Sequence, residues 1–185
     1  MYFKILNEDE CYNGMQYKTG LNVDILPFVS AGNCQPGGIY FASKDIFAFC
    51  DYGPWVREVT LPEDEEIYQN PGEPLKFKSH KVILGERKRL WDLKTIKWMI
   101  ENGADVHAND DLALCRASTN GHLEVVEFLV KDEYSLRYAS ENGHLEVVEF
   151  LVKNGADVHA NDDLALCWAS ENDHLEIVEF LKRVS

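Results

Sequence analysis

A chain of 185 residues has room for one ordinary domain or two small ones. Its 45% hydrophobic content, with nine Phe, eight Tyr and four Trp, suffices for packed cores and excludes a disordered composition. The formal charge of −14 is uneven: residues 1–90 carry 10 Lys and Arg against 13 Asp and Glu, and residues 91–185 carry 8 against 19, so a nucleic-acid partner is not expected.

The N-terminus, MYFKILNEDE, lacks the charged-then-apolar signature of a signal peptide. No apolar run approaches a membrane span, so no membrane partner is expected; reduced thiols make a cytosolic or nuclear compartment the plain reading, and a cytoplasmic location is expected. The five cysteines, Cys11, Cys34, Cys50, Cys115 and Cys167, include no CxxC, which points to reduced thiols rather than a disulfide framework or a zinc site.

In chain order, YFKIL (2–6), GGIYFA (37–42), WVREVTL (55–61), EEIYQ (65–69) and HKVIL (80–84) are rich in aromatic and branched residues and read as strands. Ser43 is placed to N-cap a short helix through Phe49, which Tyr52-Gly53-Pro54 would end. Asn13-Gly14, Pro36-Gly37-Gly38 and Pro71-Gly72 mark turns. Residues 1–88 are thus expected to form a small α+β leader domain, joined by the basic LGERKRLWD to a second domain over residues 89–185. The next element is a helix near 92–101, with Asp92 as candidate N-cap.

Beyond it the chain repeats itself. NGHLEVVEFLVK stands at 120–131 and again at 142–153, and NDHLEIVEFLKR closes the chain at 172–183. NGADVHANDDLALC appears at 102–115 and 154–167. In HLEVVEFLVK the apolar residues cover most of a helix, leaving Glu124, Glu127 and Lys131 as a narrow solvent stripe. LALCRAS and its relatives read as a second, thinner helix. Gly121 and Gly143 fall between the two, where a left-handed turn is cheap for Gly, and Asp173 replaces them in the last copy. Gly121 and Gly143 are 22 residues apart whereas His144 and His174 are 30 apart, so the middle copy lacks one loop and Lys131-Asp132-Glu133 bridges instead.

These residues resemble ankyrin repeats, GHLEVVEFLVKNGADVHA being close to the family's second-helix and loop pattern. The usual Thr-Pro-Leu-His opening is replaced by Leu112-Ala113-Leu114-Cys115 and Leu164-Ala165-Leu166-Cys167, and the unit is about thirty residues, as in the ankyrin paralogue sets of giant DNA viruses of amoebae. The resemblance covers roughly residues 92–185. It implies an all-α solenoid of one capping helix and three helix pairs, with loops projecting as β-hairpin fingers and the middle finger missing. Neighbours must cover each unit's apolar face, so the leader domain is expected to cap the stack.

Framework columns are Leu114, Leu136 and Leu166, Ala117, Ala139 and Ala169, and Ser118, Ser140 and Ser170; one column differs every time, as Arg116, Tyr138 and Trp168. Those residue types anchor interfaces. The resemblance places them on a concave binding face, so the expected partner is a protein, of the host in the viral setting. Arg137 and the loop residues His107, Asp110, His159 and Asp162 complete the candidate interface. The loops' Asp and His side chains read as turn-forming rather than metal-ligating, and His122, His144 and His174 as loop-bonding framework. Cys115 and Cys167 read as small buried hydrophobes.

No catalytic, cofactor or metal site is expected. One alternative is an enzyme: GGIYFAS, a helix and VREVTL are similar to the second motif region of ADP-ribosyltransferases, which would make Tyr40 and Ser43 contacts to NAD and one of Glu63, Glu65 or Glu66 the acid. The departure is that YFKILNEDE supplies neither the histidine nor the arginine that such a site anchors on. Another alternative is a decayed copy of a longer ankyrin gene. Oligomeric state is left open.

Overall fold

The computed structural model describes residues 1–30, 36–129 and 134–185, apart from the side chains of Asp110 and Tyr134. It divides into two compact units, Met1–Asp110 and Asp111–Ser185. The end of the non-repeating, strand-rich stretch leads to a second domain expected from residue 89, whereas the compact units divide at 110/111. The reason is the helix α1 (Leu93–Glu101), which buries Ile96 and Met99 and packs Trp98 edge-on against Phe3 at 5.3 Å. Asp92 stands at its N-cap, but only its backbone carbonyl serves, accepting from Thr95 and Ile96.

The first unit is built on antiparallel strands: β1 (Tyr2–Leu6), β2 (Cys11–Tyr12), β3 (Met15–Gln16), β4 (Gly20–Val23), β5 (Ile39–Ala42), β6 (Trp55–Thr60), β7 (Tyr68–Gln69), β8 (Lys76–Ser79), β9 (Lys81–Leu84) and β10 (Lys88–Arg89). The main sheet runs β4-β9-β6-β1-β5-β8-β7 with β10 beside β6, and β2 and β3 form a separate hairpin around Asn13-Gly14. β1 is central, and its side chains alternate between two covered faces. Tyr2 meets Phe41 and Phe77, while Phe3 meets Trp98. Along its whole length β1 pairs with β6, but its pairing with β5 is a single position, Phe3↔Ala42. Beyond that point the two strands part. The element after β5 is a 3-10 helix, Lys44–Tyr52; Ser43 occupies the N-cap position without a side-chain bond, so the expected hydroxyl cap does not form.

A buried ion pair crosses this unit. Arg57 on β6 donates from Nε and Nη2 to the two carboxylate oxygens of Glu10, at 2.7 and 2.9 Å, and from Nη1 to the Gly85 carbonyl and Thr19 hydroxyl. The guanidinium's fork matches the carboxylate, which is the geometry that offsets the cost of removing both charges from water.

The second unit consists of α2 (Ala108–Thr119, its first residues lying before the division), α3 (Leu123–Leu129), α4 (Tyr134–Glu141), α5 (Leu145–Lys153), α6 (Ala160–Glu171) and α7 (Leu175–Val184). α4 packs on α6, and α5 packs on both α3 and α7, so first helices meet first helices and second meet second. Ala117, Ala139 and Ala169 are fully buried; with no side chain beyond Cβ they let the helices approach closely. The link at 131–133 lies outside the described residues.

Neighbouring units are joined by their histidines. His144 Nε2 donates to the Thr119 carbonyl at 2.7 Å, and His174 Nε2 to the Glu141 carbonyl at 3.0 Å. Each imidazole lies flat against the preceding turn glycine: a Cβ built on Gly121 or Gly143 would fall 2.7 Å from a ring atom of His144 or His174. Asp173 holds the same left-handed backbone, φ 59°, with a side chain and no later imidazole upon it.

Burial, and secondarily the neighbouring His144, hold the His122 imidazole below the usual histidine range. Because the folded pKa lies under the unfolded value of about 6.5, the unfolded chain takes up the proton first. Stability from this group is therefore present above about pH 6.5 and is lost as the pH falls toward the folded pKa. Between about pH 7.5 and pH 5 the wild-type unfolding midpoint is expected to fall further than that of His122→Gln. Parallel profiles would assign the acid sensitivity elsewhere.

Candidate functional site

On α4, Ser135, Leu136, Ala139 and Ser140 are buried, which turns Arg137, Tyr138 and Glu141 toward solvent at helical spacing. On α6, Ala165 and Ala169 are buried and Trp168 is left half-exposed. Since α4 and α6 pack side by side, these outward positions meet. The Arg137 guanidinium lies 4.0 Å from the Tyr138 ring centroid and 5.8 Å from that of Trp168, and its Nη1 is 3.6 Å from Glu141. A delocalised cation near two ring faces favours one mutual arrangement of the aromatics and leaves part of each exposed. Arg137 also borders a shallow depression shared with Asp157 and Asn161, so the base of the second loop adjoins the aromatic pair.

The backbone beneath this cluster is braced by a further set of repeated residues. Asn120, Asn142 and Asn172 each fold a side-chain amide back onto a carbonyl four residues earlier, at 2.8, 2.9 and 2.9 Å. Those carbonyls belong to Arg116, Tyr138 and Trp168. The signal was present in the sequence as an Asn four residues after every variable position. Glu141 as the partner of Arg137 carried no such repeat signature.

The other expected interface residues are distributed differently. Arg116 is half-buried on α2, at the position equivalent to Tyr138 and Trp168. His107 is exposed and lies in the first unit, as does Asp110, whose side chain falls outside the described residues. His159 and Asp162 are exposed at the start of α6, and His159 Nδ1 is 2.7 Å from Asp163 Oδ1. Neither loop forms the expected β-hairpin. Asp105 and Asp157 instead accept from the backbone N–H of His107 and His159, at 3.0 and 2.9 Å, and Asn161, Asp162 and Asp163 follow in left-handed conformation. Short polar side chains make such turns tolerable where a strand would need extended backbone.

Cys115 is half-buried and Cys167 exposed, contrary to the buried reading. The contact face of these helices is formed by the positions at 113–114 and 117, and the helical period carries the cysteine to its flank. Tyr40 lines a cavity whose described lining includes neither Ser43 nor Glu63, Glu65 and Glu66, and Glu65 accepts from the backbone N–H of Lys81 at 2.8 Å.

Comparison with known families matches residues 92–130 to ankyrin repeats in many copies and residues 132–184 to ankyrin repeats in three copies. The chain is 42% identical over 130 residues to protein R869 of Acanthamoeba polyphaga mimivirus, covering 68% of this chain and 94% of that protein. It is 32% identical over 140 residues to the ankyrin repeat protein R868 of the same virus, covering 72% of this chain and 68% of the relative. The chain belongs to the ankyrin-repeat proteins. A further mimivirus ankyrin repeat protein, R229, is 38% identical over 118 residues, of which the aligned part is 60% of this chain but only 38% of R229. This ankyrin-repeat protein therefore spans well under half of one relative and nearly all of another.

Proposed function

We propose that this ankyrin-repeat protein is a non-catalytic recognition module, an adaptor or decoy that grips a protein of the host cell, in the cytoplasm, through the outward face of its first helices. Ankyrin repeats are generally protein-interaction modules, which supports the class of partner. The observation that carries the choice of surface is the stack of Arg137 on Tyr138 and Trp168: large, half-exposed and oriented by one another. Such side chains lose little conformational entropy when a partner covers them, and their types dominate binding energy at interfaces. Arg116 extends the face by repeat equivalence.

The test compares the full chain with the Tyr138→Ala/Trp168→Ala double variant in extract of host amoebae, with circular dichroism confirming that both are folded. A specific protein retained by the wild type is expected to be reduced at least about tenfold by the double variant, and to bind the purified wild-type chain when itself purified. If every captured protein is retained equally by both, the face is not the interface. Turnover of NAD by the full chain would favour the enzymatic alternative instead.

A further inference from the structure

The parting of β1 from β5 has a chemical consequence. Where the ladder stops at Phe3↔Ala42, residues 4–7 on one side and Gly37, Gly38, Tyr40 and Phe41 on the other line a cavity of about 520 Å3. That volume is in the range of small-molecule sites, and its described walls are mainly apolar and aromatic, among them Met15, Leu26, Tyr40, Phe41 and Phe49. Tyr12 and Tyr52, both more than half exposed, stand where it opens.

One group in it is out of place for an apolar pocket. The side chain of Lys4 belongs to a central strand and is buried, with 8% of its surface exposed, yet it lines the cavity. Its Nζ donates to the Tyr40 carbonyl at 2.8 Å and lies 4.7 Å from the centroid of the Tyr17 ring. An ammonium has three N–H donors. Among the described residues no second acceptor meets it, so the remaining donors have only the ring face and the cavity. The described charged residues of the lining are Lys4, Lys76 and Asp24, and Asp24 is already engaged by the backbone N–H groups of Leu26 and Gly38. In a chain of net charge −14 this cavity is lined by two cations and one carboxylate.

We infer that the fork between β1 and β5 is a binding site for a small molecule that joins a single carboxylate to a flat apolar body, the carboxylate accepting from Lys4 Nζ and the body lying among the aromatic side chains. A singly charged head fits because one buried ammonium is available, and a second negative charge would approach Asp24. The site lies wholly within the first unit and does not depend on the reading of the helical face.

Desolvation, opposed by the charge of Asp24, lowers the Lys4 pKa to about 8. The groups facing Lys4 are Tyr17, raised above its ordinary value mainly by burial, and Asp24, with Tyr12, Tyr40 and Lys76 further along the lining. A bound carboxylate stabilises the ammonium, so binding near pH 8.5 takes up a proton.

The probes are 2-naphthoate and its neutral analogue 2-naphthamide, titrated calorimetrically into the full chain. At about pH 7 naphthoate is expected to bind saturably, one per chain, at least about tenfold more tightly than naphthamide. The preference is expected to disappear near pH 10, and at about pH 8.5 naphthoate alone should show proton uptake when buffers of different ionisation enthalpy are compared. Lys4→Met, which keeps side-chain volume, should bind both probes equally. Three results each overturn the proposal: no saturable binding of naphthoate, equal affinity of the wild type for both probes, or an undiminished naphthoate preference in a folded Lys4→Met. Because the wild-type affinity ratio and proton uptake decide the matter alone, failure of the variant to fold leaves the test intact.

Discussion

Gly143→Ala is expected to cost the helical stack about 3 kcal/mol. Roughly 1–2 kcal/mol comes from placing a Cβ on a backbone with φ 79°. The rest follows from the imidazole of His174, whose Cε1 and Nδ1 would lie 2.7 and 2.8 Å from that Cβ. The ring must withdraw, and with it goes the hydrogen bond to the Glu141 carbonyl, worth about 1 kcal/mol. Urea denaturation of the full chain, followed by helical circular dichroism, measures the loss. Two controls separate the contributions. Asp173→Ala leaves a similar φ of 59° with no later imidazole, and should cost under about 1 kcal/mol. In a His174→Ala background the Gly143→Ala penalty should shrink to its backbone part. A penalty unchanged by removing His174 would show that the ring does not press on the glycine.

Arg57→Met is expected to destabilise the first unit by about 3–5 kcal/mol, because it strands the Glu10 carboxylate in a site where that residue is only 6% exposed. Arg87, 3.7 Å away and largely in solvent, is a weak substitute. The decisive comparison is the double variant Arg57→Met/Glu10→Gln. Removing both charges should recover a substantial part of the loss, since the penalty of the single variant is mainly an unpaired buried charge rather than lost packing. Hydrogen exchange of the β1 and β6 amides reports on this unit directly. Should the double variant be no better than the single, the guanidinium's bonds to Gly85 and Thr19 carry the stability instead.

What could be read in the sequence divides along the same lines as the fold. The helix pairs were legible because each copy testifies to the next: an Ala recurring at 117, 139 and 169 is a close contact, and it is buried in all three. β1, β6 and β9 were legible from aromatic and branched runs. β8 was not, because KFKS reads as a solvent-facing alternation, and in fact Lys78 is fully buried with Tyr40 and Tyr68 rings about its ammonium. Lys4 was hidden for the same reason, since a lysine in a strand is ordinarily assigned to water. The Glu10–Arg57 pair joins residues 47 apart with no spacing to announce it. Of the candidate interface, the variable column was visible as a column. That Arg137 would bridge two of its members depended on α4 and α6 lying side by side, which only the packing supplies.

The contact between imidazole and glycine recurs at each step of the stack, yet the stretches of chain that connect its two halves differ. Gly121 and His144 are 23 residues apart and Gly143 and His174 are 31, yet a Cβ built on either glycine would fall 2.7 Å from a ring atom of its histidine, Nδ1 of His144 and Cε1 of His174. Connection length and stacking geometry are therefore separable variables. A deletion or insertion between two such contacts alters how far a loop projects without altering how the repeats seat on one another.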